Sequence, residues 1–157
     1  MEPVAAIERH FAYEEWANER TLQTLRSLAV IDPDLIGAFA HILSGKRIWL
    51  DRIEGTESES PGGWPNLTLE ECESRNAKVN DSFRAFIGHL RAEELDRTIS
   101  FPWSKGDLKT PLREVLSHLI THGMYHRGEI MAGAGQTGAK VPSTDYVIWW
   151  NKTQQQD

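Results

Sequence analysis

The sequence predicts an all-α fold: four long amphipathic helices, a short β-hairpin ahead of the fourth, and a short helix near the C-terminal end. Three observations predict it. Apolar residues recur at three-four spacing over four separate long runs. Helix-opening signals stand at the heads of these runs: Pro3, Asp32-Pro33-Asp34, Thr68-Leu69-Glu70-Glu71 and Thr110-Pro111. Residues that favour extended chain, followed by a turn signal, occur at one place, residues 97–109.

Helix 1 is expected from about Val4 to Ala29, with Ile7, Phe11, Glu14/Glu15, Asn18, Leu22, Leu25 and Leu28 keeping the helical period. Trp16 is expected in the core, and Asn18 is expected to bond across to a neighbouring helix. His10 reads as surface or core filler. Ile31-Asp32-Pro33-Asp34 ends the run, and Asp32 or Asp34 can cap the next.

Helix 2 is expected over Leu35 to Glu54, with Leu35, Phe39, Ile42, Leu43, Trp49, Leu50 and Ile53 as its core stripe. His41 lies off that stripe, on a flank with Gly37, Ala38, Gly45 and Ile48. Small neighbours leave room for a bound group, but periodicity alone does not nominate His41 as a ligand.

Residues 55–67 form a polar, Gly/Pro-rich loop, long enough to be a flap over a cleft or a mobile connection. Thr68 to Glu71 is a capping box opening helix 3, which is expected to run to about Arg91. His89 sits at its C-terminal end, where the helix dipole favours a cation, and reads as structural. Thr98, Ile99 and Phe101 with Ser104-Lys105-Gly106-Asp107 suggest a hairpin. Thr110 as N-cap and Pro111 at the first position then open helix 4, expected over 111–133 and stopped by Gly133 and Gly135. Ser143-Thr144-Asp145 can cap a last short helix, 144–151. No linker or repeat divides the chain, so 1–157 is expected to be one domain.

Helix 4 carries His118, His122 and His126 at every fourth residue. Residues four apart stack on nearly the same helix face, so two such imidazoles can share one metal ion. At 100° per residue, Leu112, Leu116, Leu119, Gly123 and Ile130 gather within about 40° of one direction, the core face. His126 lies about 50° from it, His122 about 90° and His118 about 130°. His122 and His126 thus sit at a core edge, partly dry and partly reachable, and His118 points mostly to water. Arg127 falls near the core face and needs a carboxylate partner; Asp51, Glu15 and Asp145 are the candidates.

The net charge of −6 argues against a nucleic-acid surface and against an anionic membrane. No apolar run approaches the ~18 residues a spanning helix needs. With no apolar leader after Met1-Glu2-Pro3 and a single cysteine, Cys72, the expected location is the cytoplasm. Cys72 reads as a small half-buried helix residue. The six tryptophans are expected mostly in the core or lining a cleft.

Three stretches, and a weaker fourth, resemble one family. Leu119-Ile120-Thr121-His122-Gly123-Met124-Tyr125-His126-Arg127-Gly128-Glu129-Ile130 is similar to the most recognisable segment of the DinB-like (DinB/YfiT) metal-binding proteins. His41-Ile42-Leu43 with Arg47-Ile48-Trp49-Leu50 resembles their second helix, and Tyr13-Glu14-Glu15-Trp16-Ala17-Asn18 their first. Pro142-Ser143-Thr144-Asp145-Tyr146 is similar to their C-terminal turn. The resemblance implies an up-and-down four-helix bundle, often a homodimer, with a metal held by His41, His122 and His126. It also implies reactions that use a small-molecule thiol and an electrophilic substrate, in the manner of S-transferases and isomerases. Glu129 departs from the Gln that relatives commonly carry, and His118 stays outside the ligand set.

Three neutral imidazoles leave a coordination position open, the pattern of a catalytic metal. Zinc and nickel suit imidazole best, with iron and manganese also compatible. His122-Gly123 lacks the Glu of His-Glu-x-x-His, which argues against a metalloprotease. Three functions therefore stand as expectations: metal-activated thiolate chemistry, metal-dependent hydrolysis, and a non-catalytic metal-binding stress-response module.

Overall fold

The structure, a computed structural model, describes residues 3–58, 62–102 and 104–155. Met1, Glu2, part of the 55–67 loop and Trp103 of the expected hairpin lie outside the described residues. The four long helices are α1 (Pro3–Ser27), α2 (Pro33–Glu54), α3 (Leu69–His89) and α4 (Leu112–Gln136), and α5 (Tyr146–Thr153) is short. Strands β1 (Thr98–Phe101) and β2 (Leu108–Pro111) pair antiparallel immediately before α4, with Thr98 opposite Pro111 and Phe101 opposite Leu108. The expected all-α bundle with its hairpin and short final helix is what the chain forms.

Local chemistry sets the boundaries. Asp32 caps α2 by accepting from the Asp34 amide at 3.0 Å, with Pro33 at the first helical position. Gly55, at φ 72°, ends α2 in the left-handed conformation that glycine adopts without strain. The Thr68–Glu71 capping box forms in both directions, at 3.2 and 2.7 Å.

Three boundary expectations are corrected. Thr110 does not cap α4: it lies in β2 opposite Ile99, and Pro111 occupies the cap position without a side-chain bond. Gly133 and Gly135 do not stop α4, which continues to Gln136. Gly133 serves packing instead, because a Cβ there would lie 2.6 Å from Leu35 Cδ2. Helix α3 ends at His89, and a one-turn 3-10 helix, Ala92–Asp96, leads into the hairpin.

Contacts run around the bundle in the order α1–α3–α2–α4, which sets α1 across the core from α2 and α3 from α4. Phe39, Leu43, Leu50, Phe83, Leu112 and Leu116 fill the centre, with Phe11 and Phe83 stacked at 4.8 Å. A Leu→Ala change at such a site costs about 2–5 kcal/mol. Cys72 is fully buried rather than half-buried, and burial pushes its thiol up to about 11.

A polar chain runs through the same interior. Arg127 pairs with Glu14 and donates to Asn18 Oδ1 at 2.9 Å; Asn18 donates to Asn76 at 3.2 Å. Asn80 reaches Asn76 at 3.4 Å and accepts from Lys46 Nζ at 3.0 Å. Asn18 thus bonds across the bundle as expected, but the carboxylate partner of Arg127 is Glu14, not Asp51, Glu15 or Asp145. Asp51 pairs with Arg47, Glu15 with Arg84, and Asp145 with the Ser143 hydroxyl. Among the described residues no helix is long and apolar enough to cross a membrane.

Candidate metal centre

His41 stands on α2, and His122 and His126 stand one turn apart on α4. The small flank of α2 faces these rings closely: a Cβ on Gly45 would lie 3.4 Å from His122 Cε1, in ordinary contact, with no room for a larger side chain toward the ring. One ligand atom from each of the three histidines lies within 4.8 Å of the others. His41 Nε2 and His122 Nε2 are 3.0 Å apart. Two nitrogens bound to one tetrahedral zinc at about 2.0–2.1 Å would be about 3.3 Å apart.

The outer nitrogens of His41 and His126 are engaged. His41 Nδ1 donates to the Gly63 carbonyl, and His126 Nδ1 donates to Glu129 Oε2 at 2.6 Å. In a neutral imidazole that commits the proton to Nδ1 and leaves a lone pair on Nε2. Burial pushes His122 down to about 4, with the neighbouring His126, His41 and His118 also disfavouring its charge. Burial likewise lowers His41, against the Gly63 hydrogen bond. Both rings are therefore neutral at neutral pH, the form that binds a divalent ion. Facing nitrogens at 3.0 Å need a proton or a cation between them, and an all-imidazole donor set suits a divalent transition-metal ion. The residues present fit such an ion.

The structure thus brings together the three histidines that the resemblance implied. His41, which its own helical pattern could not nominate, faces the α4 pair. His118 stays exposed, its ring 5.3 Å from His122 and 5.6 Å from Trp49, and does not join the cluster. Two neighbours went unrecognised as parts of the site. Glu129, three residues beyond His126, anchors that ring. Trp64, in the loop after α2, stacks on His41 at 4.0 Å with the rings 4° from parallel. The i,i+3 spacing could have pointed to Glu129; nothing local in the sequence points to Trp64.

A sequence profile of the DinB family matches residues 33–157. The chain belongs to the DinB family. Among curated relatives it is 25% identical to Protein DinB of Bacillus subtilis (strain 168), covering 88% of this chain and 90% of that protein. It is also 25% identical to the uncharacterized protein YizA of the same organism, covering 84% of this chain and 83% of the other. A crystal structure of a DinB-like protein from Bacillus cereus ATCC 10987 superposes with a TM-score of 0.67 at 19% identity, covering 91% of this chain and 99% of that one. That likeness supports the fold. Family membership and the three-histidine cluster are together compatible with metal binding.

Proposed function

We propose that this DinB-family protein is an enzyme in which His41, His122 and His126 hold one divalent transition-metal ion, zinc or nickel before iron or manganese. The open side of the site then receives a low-molecular-weight thiol for transfer to, or isomerisation of, an electrophilic substrate. The observation that carries this reading is the convergence of three imidazoles from two helices, with no fourth His, Cys, Asp or Glu in the cluster among the described residues. An ion held there supplies Lewis acidity that lowers the pKa of an incoming thiol. The protein's own part is to fix the tautomers of His41 and His126 and to keep the three rings partly dry. In S-transfer the sulfur forms its bond to the electrophilic carbon, its proton passes to solvent, and the leaving group departs with the bonding pair.

Thiol chemistry is favoured over hydrolysis by what surrounds the site. Among the described residues the one carboxylate bonded to the cluster, Glu129, is engaged by His126 and by the Tyr125 hydroxyl. Hydrolysis that expels a poor leaving group needs a free proton-bearing side chain to protonate it, whereas a thiolate that displaces a good leaving group such as chloride needs none.

Elemental analysis of purified protein and of His122→Ala is the first test: one equivalent of transition metal, lost in the variant, is expected. Metal-loaded protein is then assayed with a panel of small thiols against chlorinated and maleyl electrophiles. Turnover that requires thiol supports the reading, and turnover without thiol points to hydrolysis. Tight metal binding with no turnover leaves a non-catalytic module. A cytoplasmic homodimer belongs to the same reading, and light scattering on the purified protein tests it.

A further inference from the structure

Two large aromatic side chains of the described residues are strongly exposed, Trp64 at 63% and Tyr125 at 65%. They belong to different elements, a loop and α4, and both pack against the ring of His126. Trp64 meets it at 5.6 Å and 88°, and Tyr125 at 4.9 Å and 81°. Neither ring is left to swing freely. Trp64 follows Gly63, whose carbonyl accepts from His41, and precedes Pro65, which is buried. The Tyr125 hydroxyl is bonded to Glu129. Each ring is held by contacts with the histidines yet keeps well over half of its surface in water, so each offers uncovered aromatic surface beside one candidate ligand.

We propose that Trp64 and Tyr125 are specificity-determining residues that take the flat, apolar part of the substrate beside the open metal position. The ligand class is a small molecule carrying one anionic donor for the metal and an aryl or similarly planar group next to it. A small molecule fits because both rings contact the same candidate ligand, His126, so the aromatic surface lies beside the metal position rather than spread over the protein. This inference rests on the metal-site reading above and extends it to substrate class.

The test uses the full chain loaded with Co2+ and titrated with acetohydroxamate and benzohydroxamate, which share a metal-binding head and differ in methyl against phenyl. Binding is read from the cobalt absorption bands, not from turnover. The expected result is tighter binding of the phenyl probe, by about fivefold to tenfold, as one or two aromatic contacts provide. Trp64→Ala and Tyr125→Ala should each remove most of that phenyl-over-methyl preference, read against each variant's own acetohydroxamate affinity, and Trp64→Phe should restore much of it. Equal affinity for the two probes in the wild type, or a preference that survives both alanine variants, overturns the aromatic slot alone. If neither probe perturbs the spectrum of cobalt-loaded protein, the open-position reading falls and this inference with it.

Discussion

His126 donates its Nδ1 proton to Glu129 Oε2 at 2.6 Å, one turn along α4. The carboxylate fixes the tautomer, turns Nε2 toward His41 and His122, and adds electron density to the ring. The bond to His126 is the main reason the Glu129 carboxyl sits below the usual carboxylate range, with Tyr125 adding to it. Outer partners of this kind are commonly worth about 10–100-fold in metal affinity. Glu129→Ala is therefore expected to weaken metal binding within that range, measured by chelator competition. Glu129→Gln keeps an acceptor but loses the charge, and should fall between wild type and Glu129→Ala. Equal affinity in all three would remove Glu129 from the site.

The lowered pKa of His122 makes a prediction for the metal-free protein. In the unfolded chain the ring takes a proton below about 6.5, whereas in the folded chain it resists one down to about 4. Stability is thus fully present above pH 6.5 and is lost as pH falls from there toward 4. His41, also lowered, acts in the same direction, and the crowding of histidines around His122 disfavours charge on its ring. Because the ring is only half-buried, the loss assignable to His122 is about 1–2 kcal/mol, below the full linkage value. Thermal melts across this pH range check it: His122→Gln should flatten the acid limb, and an unchanged limb would contradict the assignment.

The sequence showed the bundle clearly because its signals are local. The Thr68–Glu71 capping box, the Asp32-Pro33 start and the four apolar stripes each depend on residues a turn or two apart. The end of α4 is not legible locally, because Gly133 carries a stop signal while Leu35 of another helix fills the space a side chain would need. Glu14 was missed as the partner of Arg127 because the pair is 113 residues apart in the chain. His41 shows the same limit: its helix face is unremarkable, and only the approach of α4 makes it part of a site. Trp64 reaches the site through a loop whose path no periodicity encodes.

Gly45 ties helix packing to metal geometry and separates stability from binding. Its hypothetical Cβ lies 3.4 Å from His122 Cε1, an ordinary contact. Gly45→Ala should therefore be neutral or stabilising by up to about 1 kcal/mol, the usual gain of Ala over Gly within a helix, with metal affinity nearly unchanged. Gly45→Val adds two methyl groups toward the ring and should displace His122. The expected result is a severalfold loss of metal affinity in a protein whose helical circular dichroism is intact. If Gly45→Val binds metal as tightly as wild type, the close approach of α2 does not position His122.

Gly123 explains why the position after His122 carries no side chain. A Cβ there would lie 2.6 Å from Glu14 Oε2 and 2.9 Å from Arg127 Nη1, inside the buried ion pair. Glu14 and Arg127 are 1% and 2% exposed, so removing one partner strands the other charge in the core. Glu14→Ala is expected to cost about 3–5 kcal/mol in urea unfolding, while Glu14→Leu with Arg127→Met should come within about 2 kcal/mol of wild type. Gly123→Ala should cost about 1–3 kcal/mol by overpacking the same space. In the Glu14→Ala background most of that cost should vanish, because the clashing carboxylate is gone. A double-mutant cycle measures the coupling directly. Strictly additive energies would mean that the pair does not dictate the glycine, and that the absence of the metalloprotease glutamate at this position has another cause.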